Sequence, residues 1–489
     1  MGTAAKLSGP PAAATADVAS PMSHRRRRDR GSPAVTRLAP RGTALAKSHS
    51  PTSPTRSPPT GLSPVAADED FDDDYDTVLF QGALSGEETD LGAHAKLVRV
   101  GLPRAKDLVS DALQRRAEKL RLEPKGSAAQ VALYVDGQAF SGGRMSAKEA
   151  MAITQMLKVL AAMDPRERTA PQSGGIKAEY VETDYEIFVE TTPTRGGERL
   201  VLKLVNQLAR VDTPSEAGFT EELKELIREE SATKNGVLLI SGPPESGVST
   251  AAIATLRSID AYLFNIFNVA DLGGREIIHV TNFEGEEGDG LEQKLARVIR
   301  KEADVCFVDP ITEQTAPIVY ESSEDICLLG ELPAPSAADS LVQFAHWVGS
   351  RAQAAERLRM ALAPKLIRRL CTECREAYRP NPKLVAKVGL PPETTVLYRQ
   401  PKEIDEETGQ QMPVDCQMCG GLGYYGRIAM IELCRLTDPV KQVFVDGGTP
   451  ADLKAAARED GQPTFRSEGV RLVAEGVTSL EELQRAFRK

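Results

Sequence analysis

Residues 240–250 read ISGPPESGVST and follow the apolar stretch GVLL. An apolar strand, a Gly-rich turn and an amphipathic segment in that order outline a phosphate-binding loop, G-x-x-x-x-G-K-[ST], in which backbone amides and a helix N-terminus face a bound anion. Gly242, Gly247, Ser249 and Thr250 stand in the pattern, and Val248 stands where the lysine belongs. Val248 delivers no charge to a γ-phosphate. Pro244 has no amide hydrogen to donate, and Glu245 adds a carboxylate to a loop that ordinarily attracts anions. Loss of the lysine alone should lower a turnover rate by roughly 10²- to 10³-fold, by analogy with removal of one preorganised transition-state donor. The loop is either a weakened nucleotide site or a strand-to-helix turn kept for packing, so ATP and Mg²⁺ remain open as ligands.

Working outward, two further apolar runs, ADVCFVD ending at Asp309 and EDICLLGEL, alternate with helical segments. That alternation predicts an α/β fold with a mainly parallel sheet. Asp309 is the one candidate catalytic residue: it either holds Mg²⁺ through water or, as strand-end aspartates often do, caps the next turn. Upstream, over 92–208, the pattern predicts a separate α/β domain. AKDLVSDALQRRAEKLRL has helical spacing, AAQVALYVDGQAF alternates and carries DG at a turn, and SAKEAMAITQMLKVLAAM opens on Ser146 as N-cap. YEIFVETTPTRGGERLVLKLV reads as a hairpin. Residues 209–232 form a linker with one short acidic helix, 233–370 the loop-bearing core, 371–430 a cysteine module and 431–489 a helical tail, whose last helix has Thr478 and Glu481 as its expected capping box.

The seven cysteines include Cys371 and Cys374, then Cys416 and Cys419, two C-x₂-C pairs with 41 residues between them. Four thiolates so arranged satisfy a tetrahedral Zn²⁺ with no open position, which makes the role structural. A redox pair or two local disulfides are the alternatives. Cys306, Cys327 and Cys434 lie in apolar surroundings and read as core residues.

Residues 1–67 carry ten Lys or Arg against two Asp, so the formal net charge of -10 leaves the remainder strongly acidic. Such a body excludes sequence-independent nucleic-acid binding, which needs a basic surface. The Pro-rich basic stretch and the DEDFDDDYD run after it form a tail over 1–76 whose composition predicts disorder. Arg25–Arg28 suit an anionic lipid surface or an acidic partner, or are simply a solvated part of that tail. The chain has no run of about 18 apolar residues and no apolar block of a secretory signal near its start, which points to the cytoplasm.

Several segments together resemble the type II secretion and type IV pilus assembly ATPase family. LAPKLIRRLCTEC and CQMCGGLGYYGRIAMIELC resemble its two cysteine pairs and their flanking strands, and AREDGQPTFRSEGVRLVAEGVTSLEEL resembles its terminal helices. LVSDALQRRAEKLRLEP, LYVDG, RERTAPQSGG and TTPTRGGERLVLKL are similar to its N-terminal domain. The resemblance covers about residues 92–489. It implies a RecA-like P-loop core preceded by an α+β, PAS-like domain, assembly into a homo- or hetero-hexameric ring that can include an active family ATPase, and work beside inner-membrane secretion or pilus platform proteins. It also places the chain in the cytoplasm or at the periphery of the inner membrane, and puts it in the secretion and pilus-extension branch, since retraction motors generally lack the cysteine module.

Against that pattern the catalytic parts are eroded. NIFNVADLGG is similar to the acidic box, and the position for a water-activating glutamate is Ala270, followed by Asp271 and Leu272. The Walker B segment aligns with Asp309–Glu313, its acid replaced by Pro310 or shifted to Asp309. The histidine box contains no histidine, and His346, a helix further on, reads as a packing residue. The N-terminal arginines that the family directs at nucleotide align with Phe188 and Lys203. The expectation is a member of this family without hydrolysis, the alternatives being a working ATPase with an unorthodox site or a nucleotide sensor that does not hydrolyse.

Overall fold

Alternating buried and exposed side chains along seven segments build the first layer. The computed structural model describes residues 76–488 apart from 210, 212, 273–275, 405–410 and 413, all within the compact unit Gly61–Lys489. The basic and acidic tail, Arg25–Arg28 included, lies outside the described residues except for Asp76. Strands β1 (Leu79–Ala83), β2 (Lys119–Lys125), β3 (Ala128–Val135), β4 (Gln138–Ser146), β5 (Gln172–Tyr180), β6 (Thr183–Thr194) and β7 (Gly197–Asn206) form one antiparallel sheet in the order β1-β5-β6-β7-β2-β3-β4. Helices α1 (Ala95–Gln114) and α2 (Ala147–Leu160) share an apolar core with one face of it, in which Val109, Leu120, Leu133, Met156, Ile187 and Leu202 are buried. Asp136 and Gly137, both at positive φ, make the two-residue turn between β3 and β4 that DG predicts. Ser146 caps α2 through a complete capping box with Glu149.

Two expectations need correction here. The helical reading of 105–122 runs too far: α1 ends at Gln114, Arg116 turns at φ 58°, and Lys119–Lys125 is β2, inserted between β7 and β3 with Leu120 and Leu122 facing the core. The layer also begins before residue 92, because β1 pairs antiparallel with β5 and covers that edge of the sheet.

The short helix α3 (Glu221–Ser231) turns Leu223 and Ile227 inward, onto the core of the second layer. There β8 (Gly236–Ile240), β9 (Ile266–Asn268), β10 (Thr281–Asn282), β11 (Val305–Val308), β12 (Cys327–Glu331) and β13 (Leu358–Leu370) run parallel, and β18 (Tyr424–Arg435) closes the edge antiparallel to β13, in the order β10-β9-β11-β12-β8-β13-β18. β8, β11 and most of β12 are buried throughout, as central strands of a sheet covered on both faces must be. Helices α4 (Val248–Ser258), α5 (Leu291–Arg300), α6 (Ala316–Ser322), α7 (Ala337–Val348) and α8 (Arg351–Arg357) connect these strands. Cys306, Cys327 and Cys434 are buried in this sheet, as expected.

Between β13 and β18 the chain inserts β14 (Glu376–Tyr378), α9 (Pro382–Val388), β15 (Leu397–Arg399) and the pair β16 (Glu403–Ile404) and β17 (Gln411–Met412). After β18 come α10 (Asp438–Val445), α11 (Pro450–Glu459), α12 (Phe465–Ala474) and α13 (Leu480–Phe487). β18 crosses the expected boundary at 430: its apolar run belongs to the main sheet, pairing along β13 from Met360↔Arg435 to Leu370↔Tyr424. The cap of α13 also differs from expectation. Ser479 accepts the Glu482 amide, while the Thr478 hydroxyl donates to the Arg368 carbonyl at 2.8 Å and ties the helix entrance to β13.

Candidate functional site

Carboxyl ends of parallel strands are where an α/β sheet presents ligands to helix N-termini. The loop 241–247 leaves β8 there and enters α4 through Gly247, whose φ of 96° is a conformation only glycine adopts cheaply. A Cβ on Gly247 would also press on Leu366 at 3.1 Å. The loop therefore has its tight turn. Ser249 lies in the first turn of α4, and its hydroxyl donates to Glu331 at 3.3 Å; Thr250 follows it.

Val248 is partly buried: its side chain packs against the apolar core beside α4, and its Cγ2 would stand 2.9 Å from a Cβ on Gly242, at the start of the loop. The position from which a lysine would cross the loop is thus used for packing. Glu245 takes a left-handed backbone at φ 64°, which costs a residue with a Cβ about 1–2 kcal/mol relative to glycine. Its carboxylate accepts from Lys119 Nζ at 2.8 and 3.0 Å, and this bond, opposed by partial burial, holds the Glu245 carboxyl below the usual carboxylate range.

Asp309 follows β11 and Glu331 ends β12, in neighbouring parallel strands whose register pairs Val308 with Gly330. The two acids are therefore adjacent at the loop. Burial pushes Asp309 up to about 6; burial and then the Asp309 charge push Glu331 up to about 7. Glu331 lies in the apolar run EDICLLGEL, where nothing in the local sequence marks it as a site residue. The available signal is tertiary, an acid closing an apolar strand of a parallel sheet. Both carboxyls hold protons in the native state at pH values where an unfolded carboxyl has lost them. Their stabilising contribution is complete below about pH 4 and is lost as pH rises through about 6 to 7. Glu331→Gln is expected to flatten that decline and to raise stability at pH 8 by about 1–2 kcal/mol, read as the urea midpoint at pH 5 and pH 8.

The remaining family positions are occupied as follows. Ala270 packs beside the α4 core, and its amide donates to the Asn268 side chain at 2.9 Å. Pro310 sits between Asp309 and Ile311, whose amide bonds the Glu331 carbonyl at 2.8 Å. His346 is exposed on α7 rather than packed, because Leu341, Phe344 and Ala345 fill the helix's buried face. Phe188, Lys203, Lys119 and Tyr134 stand in one register row across β6, β7, β2 and β3. Lys203 pairs with Glu190 at 2.9 Å, and Lys119 lies 4.4 Å from the Tyr134 ring centroid. A cavity of about 1020 Å³, lined in part by Val396, Tyr398, Val470 and Arg471, shares no residue with the loop.

The tetracysteine cluster assembles beyond the end of the β13–β18 pair. Sγ atoms of Cys371, Cys374, Cys416 and Cys419 all lie within 4.8 Å of one another, with Cys371 to Cys416 at 3.8 Å and Cys374 to Cys419 at 3.6 Å. All four are free thiols, and a disulfide needs about 2.05 Å. A tetrahedral centre with metal–sulfur bonds of about 2.3 Å requires sulfur–sulfur separations of about 3.8 Å, so the donor set fits a Zn²⁺-sized ion. Gly423 donates its amide to Cys419 Sγ at 3.2 Å, and Gly420, Gly421 and Gly423 at positive φ make the knuckle that allows this.

A strand, glycine turn and helix at the carboxyl edge of a mainly parallel sheet, joined to a four-thiol cluster, make this a mixed α/β protein with a tetracysteine module. The family model described as Type II/IV secretion system protein matches residues 100–485. The chain belongs to that family. The type IV pilus assembly ATPase PilB of Thermus thermophilus is 25% identical over 382 residues, 77% of this chain and 42% of that protein. The protein of the same name from Pseudomonas aeruginosa is 25% identical over 386 residues, so the chain spans about two thirds or less of these relatives, 66% in the second case. The X-ray structure of the Legionella pneumophila ATPase DotB covers 77% of this chain and 93% of its own, at 12% identity and a TM-score of 0.46.

Proposed function

We propose that this chain is a catalytically degenerate member of the family, a subunit or regulator of a secretion or pilus motor. The observation that carries the reading is the loop itself: Val248 is an uncharged side chain packed against the core, and the charge the loop does add, Glu245, is negative. Ala270 supplies no proton acceptor, and groups that act as a unit are not replaced one at a time. In this reading Cys371, Cys374, Cys416 and Cys419 hold a structural Zn²⁺ that completes a scaffold facing the ring. The N-terminal layer serves as the PAS-like domain, 233–370 together with β18 as the RecA-like core, the insertion between β13 and β18 as the zinc module and the helices after β18 as the helical subdomain. The ring is hexameric, made of this chain alone or mixed with an active relative, in the cytoplasm against inner-membrane platform proteins. Among the described residues no helix is long and apolar enough to cross a membrane.

A second reading, a nucleotide sensor that does not hydrolyse, is favoured by one observation. Ser249 and Thr250 keep their places at the α4 N-terminus, with Asp309 and Glu331 beside them for Mg²⁺.

The test is ATP turnover by the purified chain. The expected rate lies at least roughly 10²-fold below that of a hydrolysing relative, at a background that Asp309→Asn leaves unchanged. Turnover at a relative's rate, abolished by Asp309→Asn, overturns the proposal. A rise in melting temperature with MgATP in the absence of turnover selects the sensor.

A further inference from the structure

The contact between Lys119 and Glu245 joins residues 126 apart in sequence and spans the two layers. It has a distinctive setting. Lys119 is the first residue of β2, in the register row that faces the loop, and its side chain is only 21% exposed. Glu245 sits at the loop's apex in a backbone conformation that favours glycine, so a side chain is held there despite the strain. Pro244 immediately before it removes one amide from the cradle.

The contact is also not alone. Glu118, next to Lys119, accepts from Arg427 at 2.7 Å and from the Gly137 amide at 2.8 Å. Asp136 accepts the Gly426 amide at 3.0 Å, and Arg116 reaches across to the Tyr424 and Cys419 carbonyls and stacks 4.3 Å from the Tyr425 ring centroid. Arg116, Glu118, Lys119 and Asp136 thus form one seam against the start of β18, the cysteine knuckle and the phosphate loop.

We propose that Glu245 is a built-in anion that latches the N-terminal sheet to the phosphate loop through Lys119, so that the two layers stay closed without nucleotide and a polyphosphate enters only by displacing the Glu245 carboxylate. The inference rests on the reading that the chain does not hydrolyse ATP. Lys119 would then be the cation that meets an incoming phosphate, in place of the side chain lost at Val248. A carboxylate and a phosphate oxygen compete for the same ammonium, and the carboxylate has the advantage of being covalently tethered. Lys203 and Arg427 add positive charge farther off.

The experiment uses the full chain with Glu245→Gln, with Lys119→Gln, and with both charges reversed as Glu245→Lys and Lys119→Glu. Amide hydrogen exchange is followed over residues 241–250, and inorganic tripolyphosphate is titrated by calorimetry. Each single variant is expected to exchange about two- to fivefold faster than the parent in that window, the size expected for one partly exposed ion pair, and the reversed pair to return to the parental rate. Glu245→Gln is expected to bind tripolyphosphate at least about twofold tighter than the parent, and Lys119→Gln no tighter. Parental exchange in the single variants, no rescue by reversal, or no gain in tripolyphosphate affinity, including no binding in either protein, overturns the latch. ATP turnover in the parent bears on the noncatalytic reading and moves neither of these readouts, so the two failures are told apart.

Discussion

Cys416→Ser is expected to reduce bound metal from about one ion per chain to near zero and to open the segment 372–423 to protease while the antiparallel first layer stays protected. The four thiolates close a connection that leaves β13 at Leu370 and returns to β18 at Tyr424. Cross-linking a loop of that length removes roughly 4 kcal/mol of chain entropy from the unfolded ensemble, if a metal bridge is treated like a disulfide. The consequences extend past the module. Leu370 and Cys371 bond Val477 and Gly423 through their amides, Arg375 reaches the Gly476 carbonyl at 2.6 Å, and the Tyr424 and Ser479 hydroxyls lie 2.8 Å apart. Opening the knuckle therefore loosens the entry to α13, and Glu482, which holds Arg368 and Arg485, loses the geometry that offsets its burial. Chelation of the unaltered protein should give the same digestion pattern. Metal loss with no change in digestion overturns a structural role; a parent that carries no metal when freshly purified overturns the site.

Much of this was legible because the relevant signals are local. GVLLI, VCFV and CLLGE are buried strands that need no partner to be recognised, and Asp136-Gly137 and Ser146-to-Glu149 carry their turn and cap geometry within four residues. What escaped depends on partners distant in sequence. Lys119–Lys125 looks like the tail of α1 until β7, some eighty residues later, and β3 flank it. Thr478 matches a capping pattern as well as Ser479 does, and only the Arg368 carbonyl decides which hydroxyl is free for the helix. Glu331 and Lys119 escaped for the same reason. Each is unremarkable in its own segment and becomes part of the loop's surroundings only when another strand or layer brings it to Ser249 or Glu245.

The second large effect is a recovery that does not occur. Val248→Lys is expected to leave ATP turnover within about tenfold of the parental background, still some 10²-fold or more below a hydrolysing relative, even though it restores the residue type that the loop pattern demands. The new side chain must abandon the apolar cluster that Val248 now joins and run past Glu245, whose carboxylate competes for the ammonium. Leaving the cluster should cost about 1–2 kcal/mol of stability, moderated by the lysine stem lying along apolar surface. An ammonium that does reach the phosphates restores one transition-state donor, and a donor acting without the groups it cooperates with recovers little of the rate. Turnover also needs a group to orient or deprotonate water, and at that position Ala270 presents a methyl group. Combining Val248→Lys with Glu245→Gly and Ala270→Glu removes the competing charge and supplies an acceptor, so the triple variant should exceed the single variant in kcat, by about tenfold or more. If Val248→Lys alone raises kcat a hundredfold, a general base is already in place, Glu331 beside Ser249 is the group to test for that role, and the chain is an ATPase one residue from activity.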